Sequence, residues 1–252
     1  MLIEKARVES ITEIENGIYL LKAFSPRIAE SARPGQFCNI KVTDTDFPLL
    51  RRPFSICEVK NDNVYFMFDI HGEGTRLLSR KIKGDVLDIL GPLGKGFNIN
   101  DNFDTAVVIA GGLGAAPFPF LIDEILHDKK IYCFVGGKSK QNVIKYKMQN
   151  ISISTDDGSE GFKGNVVDLF ISSLEKFSEN KIKVFACGPN IMLKALKEFC
   201  ITKNINCEMS VECAMACGFG ICQGCPIEKS NCDGYYLVCK DGPVFNAKDI
   251  KL

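Results

Sequence analysis

Four cysteines in the C-terminal part of the sequence have the type and spacing needed to bind iron. Cys217, Cys222 and Cys225 stand in a C-x4-C-x2-C arrangement, and Cys239 follows after a short interval. This is the ligand spacing of a plant-type 2Fe-2S cluster. Two iron ions bridged by sulfide need four soft thiolates, and three of them must come from one tight loop. The pattern therefore predicts an iron-sulfur centre.

A structural zinc site is the alternative interpretation of these cysteines, because four thiolates also suit tetrahedral zinc. Zinc ribbons usually pair two short C-x2-C knuckles, whereas here the first interval is longer and the last cysteine is isolated. This asymmetry favours iron and sulfide. The loop glycines Gly218, Gly220 and Gly224 are expected to allow positive φ, so that amide N–H groups approach the cluster sulfurs. Cys213 and Cys232 lie outside the spacing and are predicted to be bystanders.

Length and charge indicate a soluble protein of several domains. The chain has 252 residues, which exceeds the usual size of one domain, so we expect two or three. Its 31 basic and 31 acidic residues balance, which indicates neither nucleic-acid nor membrane binding. The apolar segment 106–122 contains glycines and prolines and is predicted to be strand, turn and helix. The opening residues MLIEKARVES lack the apolar core of a signal peptide, which predicts a cytoplasmic protein with reduced thiols.

Residues 1–100 are predicted to form an antiparallel β-barrel that binds a flavin. Short apolar runs separated by turn residues are typical of antiparallel barrels or sandwiches, and a six-stranded Greek-key barrel would accommodate them. The runs lie at 18–24, 36–42, 54–59, 64–70 and 86–90.

Two motifs within this region could contact the flavin. In the first, Arg51 and Arg52 offer a guanidinium fork for a phosphate, Phe54 an aromatic face and Ser55 a hydroxyl for the flavin edge. The alternative is an edge strand with solvated charges beside a core aromatic ring. In the second, Gly74 and Thr75 precede a short apolar stretch, and Thr75 is predicted to be the N-cap of a helix that faces a pyrophosphate.

Residues 101–206 are predicted to form a doubly wound parallel sheet that binds a nicotinamide nucleotide, and residues 207–252 a small cluster-binding domain. Strands and helices alternate, and glycine-rich turns follow the strands at the edge where such sheets bind ligands. The predicted nucleotide-contacting residues are Gly111, Gly112, Gly114, Cys187, Gly188 and Pro189. Lys138 and Lys140 could reach a 2′-phosphate, so the choice between NAD and NADP stays open. No nucleophile–base pair is recognisable, and no catalytic side chain is predicted, as befits a carrier of electrons.

The order of these three parts resembles the electron-transfer subunits of the NAD-dependent, class B dihydroorotate dehydrogenases over essentially the whole chain. The similarity is carried by RRPFSI, GEGT, GGLGAAPF, ACGP, ECAMACGFGICQGC and VCKDGPVF. It implies that Cys239 is the fourth cluster ligand and that NAD is the nucleotide. It also implies flavin contacts from two strands and one turn: Arg52, Pro53, Phe54 and Ser55; Met67, Phe68 and Asp69; Gly74 and Thr75. The family often has a basic residue where this chain has Asp69.

The resemblance further implies a role in pyrimidine biosynthesis and a partner. In that family the subunit carries FAD and a 2Fe-2S cluster and pairs with an FMN-containing catalytic subunit, two copies of each forming a heterotetramer. Electrons from dihydroorotate pass from FMN through the cluster and FAD to NAD+. The alternative within the same architecture is a subunit of an NADH-dependent ferredoxin:NADP oxidoreductase or sulfide dehydrogenase. A zinc-stabilised binding module without redox activity is the alternative of a different class.

Overall fold

A computed structural model describes residues 1–45, 47–177 and 180–252 of the chain. Its N-terminal part is a closed antiparallel barrel, as predicted. The barrel strands are β1 (Leu2–Glu15), β2 (Ile18–Phe24), β3 (Phe37–Lys41), β4 (Arg52–Lys60), β5 (Asn63–Asp69) and β6 (Val86–Leu93), accompanied by helices α1 (Pro26–Ser31) and α2 (Glu73–Ser79). They follow one another around the barrel in the order β1-β2-β5-β4-β3-β6.

The first barrel strand was not recognised from the sequence. β1 is 14 residues long and pairs with both β2 and β6. Ala6 and Val8 are fully buried, whereas their neighbours in the strand, Lys5 and Arg7, are exposed. A strand whose inward residues are few and small gives a weak hydrophobic pattern, and its ladder partners supply the stability that the pattern does not reveal.

The middle of the chain forms the predicted parallel sheet. Its strands are β7 (Thr105–Gly111), β8 (Lys130–Gly137), β9 (Ile151–Thr155), β10 (Phe162–Lys163), β11 (Ile182–Cys187), β12 (Asn206–Ser210) and, later in the chain, β15 (Val244–Asn246), with helices α3 (Phe118–Ile125), α4 (Val166–Ser172) and α5 (Asn190–Thr202). The strand order is β10-β9-β8-β7-β11-β12-β15. All pairs are parallel except β12 with β15.

The C-terminal segment returns to this sheet instead of standing apart. It contains β13 (Pro226–Glu228), β14 (Tyr235–Leu237) and α6 (Val238–Asp241) before β15. The predicted division between residues 206 and 207 falls inside β12, which is a full member of the sheet. Val244 and Phe245 are buried against it, and this burial is the reason that the last strand joins the sheet.

A shared hydrophobic core positions the three parts relative to one another. Phe37 and Leu93 on the outside of the barrel pack into the same buried cluster as the sheet residues around Val184 and the C-terminal residues Cys225 and Cys239. A separate cluster, containing Phe66 and Phe68, fills the barrel interior. In the part of the chain that the structure describes, no helix is both long and apolar enough to cross a lipid bilayer.

Candidate functional site

The four predicted ligand cysteines are brought together by the loop after β12 and by α6. Cys217 and Cys222 lie toward solvent, whereas Cys225 and Cys239 are buried. The Val238 N–H donates to the Cys225 carbonyl at 2.9 Å, which draws the start of α6 onto the loop. The Sγ atoms of Cys225 and Cys239 then lie 3.2 Å apart. The structure therefore collects all four sulfurs on one side of the C-terminal segment.

Backbone amides of the loop point at Cys217. The N–H groups of Phe219 and Cys222 both donate to Cys217 Sγ at 3.5 Å. Burial opposes ionisation, but these hydrogen bonds outweigh it and lower the pKa of the Cys217 thiol to about 6. Cys217 is thus largely thiolate at neutral pH, the state in which sulfur binds a metal.

Two of the three loop glycines have the expected backbone conformation. Gly218 and Gly220 have φ of 80° and 91°. The expectation was wrong for Gly224, since the residue with positive φ at this turn is its neighbour Gln223, at 57°. Space does not require glycine at 224 either, because a Cβ there would meet only Cys222 Sγ, at 3.4 Å.

The donor set fits a two-iron cluster better than a single ion. The sulfurs fall into two pairs, since the Cys222 backbone N–H donates to Cys217 Sγ at 3.5 Å and Cys225 Sγ lies 3.2 Å from Cys239 Sγ. Two irons bridged by sulfide need two thiolates each, whereas tetrahedral zinc needs four around one point.

The remaining cysteines near the loop differ from each other. Cys213 is half-buried against the same core, and its pKa is raised to about 12 by burial and then by the neighbouring Cys225. Cys232 is exposed. Their role as bystanders stays a prediction.

The two predicted flavin motifs meet outside the barrel. The Arg52 side chain at the start of β4 lies over the first turn of α2, because a Cβ on Gly74 would lie 2.4 Å from Arg52 Nε. Ser55 is half-buried on the same strand. A guanidinium held over a helix start suits a phosphate group.

The predicted N-cap of α2, Thr75, was wrong, because the observed N-cap is Gly72, three residues earlier. Gly72 precedes the helix, and Thr75 lies in its first turn. The Thr75 hydroxyl accepts hydrogen bonds from the backbone N–H groups of His71 and Gly72, at 2.9 and 3.2 Å. Thr75 therefore closes the turn from inside the helix.

Three of the other predicted flavin residues are packing residues. Phe54 lies in the barrel core, with its ring centroid 5.9 Å from that of Phe68. Met67 is buried between barrel and sheet. Any contact of these residues with a flavin would have to use their backbone atoms, and their assignment stays a prediction. Asp69 differs, because it lines a cavity of about 360 Å³ together with Tyr19.

The predicted nucleotide turns line a second, larger cleft of about 930 Å³ at the carboxyl ends of the parallel strands. Gly111, Gly112, Gly114, Gly188 and Pro189 all border it. Cys187 lies buried beneath it, where its carbonyl would be only 2.3 Å from a Cβ on Gly114. The close approach of these two turns is the physical reason for glycine at position 114.

The far end of the cleft contains polar groups, of which Ser154, Asn165 and Asp168 were not singled out from the sequence. Ser154 is buried, and its hydroxyl has no hydrogen-bond partner in the described chain. Asn165 caps α4 by accepting from the N–H groups of Val167 and Asp168, each at 3.0 Å. Lys138, Asp156 and Asp168 complete the polar lining. An unpartnered hydroxyl facing a cleft is suited to a ligand such as a ribose.

Glu212 lies where the cleft approaches the barrel, and sequence reasoning also missed it. Its side chain reaches solvent at the cleft. Enclosure by the cleft walls, followed by the charge of Asp69, raises the pKa of its carboxyl above the ordinary value. Glu212 follows β12, a strand that was not predicted from the sequence, so no pattern pointed to this residue. Asp69 lines the smaller cavity together with Gly112 and Leu113, which also border the cleft, so the cleft adjoins the strand predicted to hold the flavin.

Comparison with known proteins agrees with this geometry. Residues 212–251 match the family model for the iron-sulfur cluster binding domain of dihydroorotate dehydrogenase B. The dihydroorotate dehydrogenase B (NAD(+)) electron transfer subunit of Clostridium acetobutylicum is 35% identical over 256 residues, spanning 99% of this chain and 98% of its own. The corresponding subunit of Fusobacterium nucleatum is 36% identical over 264 residues and the full length of both.

The chain belongs to the family of dihydroorotate dehydrogenase B electron transfer subunits.

Solved structures show that the family fold is that of ferredoxin reductases. An NADH-dependent reduced ferredoxin-NADP oxidoreductase superposes with a TM-score of 0.83 at 23% identity, covering 98% of this chain and 89% of the other. A ferredoxin NADP+ reductase from Neisseria gonorrhoeae with bound FAD and NADP gives 0.65 at 15%, covering 79% and 91%.

Proposed function

We propose that this chain binds FAD, a 2Fe-2S cluster and NAD, and that it passes electrons from a dihydroorotate-oxidising partner subunit to NAD+. The observation that carries the proposal is the paired arrangement of four cysteine sulfurs on a loop packed against the barrel. Membership of the family supports dihydroorotate as the source of electrons.

The residues of the chain have distinct proposed roles. Cys217, Cys222, Cys225 and Cys239 hold the cluster, with amides of the loop stabilising the thiolate of Cys217. Arg52, Ser55 and the Gly74–Thr75 turn bind FAD, aided by the backbone around Pro53, Phe54, Met67, Phe68 and Asp69. Gly111, Gly112, Gly114, Gly188 and Pro189 shape the cleft for NAD above the buried Cys187.

The order of the cofactor sites follows from electron counting. An iron-sulfur cluster carries single electrons, whereas nicotinamide accepts a hydride, so a flavin has to lie between them. In support of this order, the cluster loop packs on Phe37 and Leu93 of the barrel, and Asp69 of the barrel lines a cavity that shares Gly112 with the cleft.

The partner is proposed to be an FMN-containing catalytic subunit, two copies of which join two copies of this chain in the cytoplasm. Cys222 and Ile221 lie exposed at the tip of the cluster loop. This exposure supports an entry point for electrons at the tip of the loop, where a partner can approach.

An NADH-dependent ferredoxin:NADP oxidoreductase subunit is the second candidate, favoured by the TM-score of 0.83 with such an enzyme. The two functions differ in the electron donor. Purification with the neighbouring subunit, flavin and iron analysis, and an assay of NAD reduction by dihydroorotate distinguish them. Reduction by ferredoxin alone would overturn the first proposal.

Replacing a cluster ligand tests the proposal directly. Cys222→Ser is expected to abolish the visible absorption and EPR signal of the cluster and the dihydroorotate-dependent reduction of NAD+, because one iron loses a thiolate. FAD content should be retained, since the flavin residues lie on the barrel. Cys232→Ser, which also changes an exposed cysteine, is the matched control and should behave as the unaltered protein. Unchanged coupled turnover in Cys222→Ser would contradict the relay.

A further inference from the structure

Asn39 is a polar residue buried where the barrel meets the cluster loop. Its neighbours on β3, Cys38 and Ile40, point into the barrel core, so Asn39 points outward. Only 1% of its surface is accessible. A buried side-chain amide on the outside of a barrel requires a partner in the segment that covers it.

That partner is the backbone of the cluster loop. Asn39 Nδ2 donates to the Cys217 carbonyl at 3.4 Å. The next residue, Gly218, is pressed against the same amide, because a Cβ there would lie 2.0 Å from Asn39 Nδ2. With its φ of 80°, Gly218 is the residue type that both the backbone conformation and the contact require. One amide therefore sets how closely the loop approaches the barrel.

The other side of Asn39 is connected to the strand that is proposed to hold the flavin. Asn39 is paired with Pro53 in the ladder between β3 and β4, next to Arg52. Its backbone carbonyl accepts from Arg51 Nη1 at 3.5 Å. A single residue thus touches both the cluster loop and the flavin strand.

The side-chain amide of Asn39 uses only part of its hydrogen-bonding capacity. Asn39 Oδ1 is buried and finds no hydrogen-bond partner among the residues that the structure describes. Leaving a buried acceptor unpaired costs free energy of folding, whereas an apolar side chain of similar shape avoids this cost. Stability alone would therefore favour leucine at this position.

We propose that Asn39 is a positioning residue that holds the cluster loop at the distance and orientation needed for electron transfer between cluster and flavin. The proposal rests on the proposed function, in that Cys217 binds the cluster and β4 borders the flavin. Electron transfer slows steeply as two cofactors move apart, so loosening the loop slows this step and leaves the step between nicotinamide and flavin unaffected.

The test uses Asn39→Leu in the FAD- and cluster-loaded protein, with Asn63→Leu as the matched control. Asn63 is also a barrel asparagine with a buried, unpartnered Oδ1 in the described chain, but it pairs with Lys60 at the other end of β4. Rapid mixing with NADH separates two events by absorbance: reduction of the flavin by hydride, then passage of an electron to the cluster. Thermal unfolding and the EPR spectrum of the reduced cluster are recorded in parallel.

Asn39→Leu is expected to unfold at the same or a higher temperature and to reduce its flavin at the normal rate. Reduction of its cluster should be slower by roughly tenfold or more, the size typical of losing a supporting contact of a metal site. Its EPR spectrum should change, whereas Asn63→Leu should match the unaltered protein in both steps.

Equal cluster reduction in Asn39→Leu and Asn63→Leu would overturn the inference. If Asn39→Leu does not fold, Asn39→Ser, which is too short to reach the Cys217 carbonyl, takes its place. Joint loss of cluster and flavin in both Asn39 variants would overturn a selective positioning role. Absence of a 2Fe-2S spectrum in the unaltered protein would instead contradict the proposed function.

Discussion

Single residues determine whether the nucleotide cleft can form at all. Gly114 lies directly over the end of β11, where any side chain would meet the backbone of Cys187 and Gly188. Gly111 is similarly confined by Pro189, at 2.8 Å from its would-be Cβ. The glycine-rich sequence therefore serves close packing of two turns, and the cleft for the nucleotide results from that packing.

Gly114→Ala is expected to destabilise the protein by about 1–3 kcal/mol, because overpacking forces the two turns apart. NAD binding should weaken as well, since both turns line the cleft. Thermal unfolding and titration with NAD+ measure the two effects. Gly72→Ala is the control, because nothing lies within 4 Å of its would-be Cβ. Equal unfolding temperatures for Gly114→Ala and Gly72→Ala would contradict this account, because the two turns could then move apart without loss of stability.

At the scale of elements, short helices depend on the residues at their ends. α4 has only seven residues, so its stability comes from packing and from its cap. The Asn165 side chain satisfies two of the free N–H groups at its start. The same cap borders the nucleotide cleft, which links the order of α4 to the shape of the binding site.

Asn165→Ala is expected to cost about 1 kcal/mol of stability, because two N–H groups lose their acceptor. Asn190→Ala is the matched control. Asn190 also borders the cleft at the start of a helix, but α5 has no side-chain cap hydrogen bond in the described chain. Denaturation in urea measures both variants. A loss in Asn190→Ala equal to that in Asn165→Ala would contradict the role of the cap.

At the scale of the whole molecule, a buried polar cluster joins the barrel to the parallel sheet. Glu58 of β4 is almost fully buried and lies 2.6 Å from Lys147 Nζ. The Tyr146 hydroxyl donates to the same carboxylate at 3.1 Å, and this residue precedes β9. The position of β4 relative to the nucleotide cleft therefore depends on neutralising the buried carboxylate of Glu58.

Lys147→Met is expected to destabilise the protein by about 2 kcal/mol at neutral pH, because the Glu58 charge loses its strongest hydrogen-bond donor. Burial would lower the pKa of Lys147, but the hydrogen bond and charge of Glu58 outweigh it and raise the pKa above 10.5. A raised folded-state pKa means that this stabilisation is complete below pH 10.5 and is lost as pH rises further.

The difference in unfolding temperature between Lys147→Met and the unaltered protein should therefore be constant up to pH 10.5 and become smaller above it. Lys145→Met is the control, since Lys145 pairs with Glu160 where both side chains are more exposed. A difference that is already absent at pH 7 would contradict this account of the interface.

Much of the fold could be predicted because the sequence patterns that indicate it involve residues close together in the chain. The cysteine spacing, the glycine turns after apolar runs and the turn-separated short strands each reflect the needs of a few neighbouring residues. The barrel, the parallel sheet and the family were therefore predicted correctly. β1 was missed because its inward residues are small and separated by charges, and Thr75 was misplaced because several residues of the turn could have capped α2.

The sequence by itself indicated which ligands to expect, because iron, phosphate and ribose demand particular side chains at particular spacings. Only the tertiary structure decided which side chains border the candidate sites. Phe54 and Met67 pack in the interior, whereas Asn39 lies against the cluster loop and Ser154 and Glu212 line the cleft. The physical reason is that side-chain direction depends on which strands pair and which faces bury, and this is settled by contacts between residues far apart in the chain.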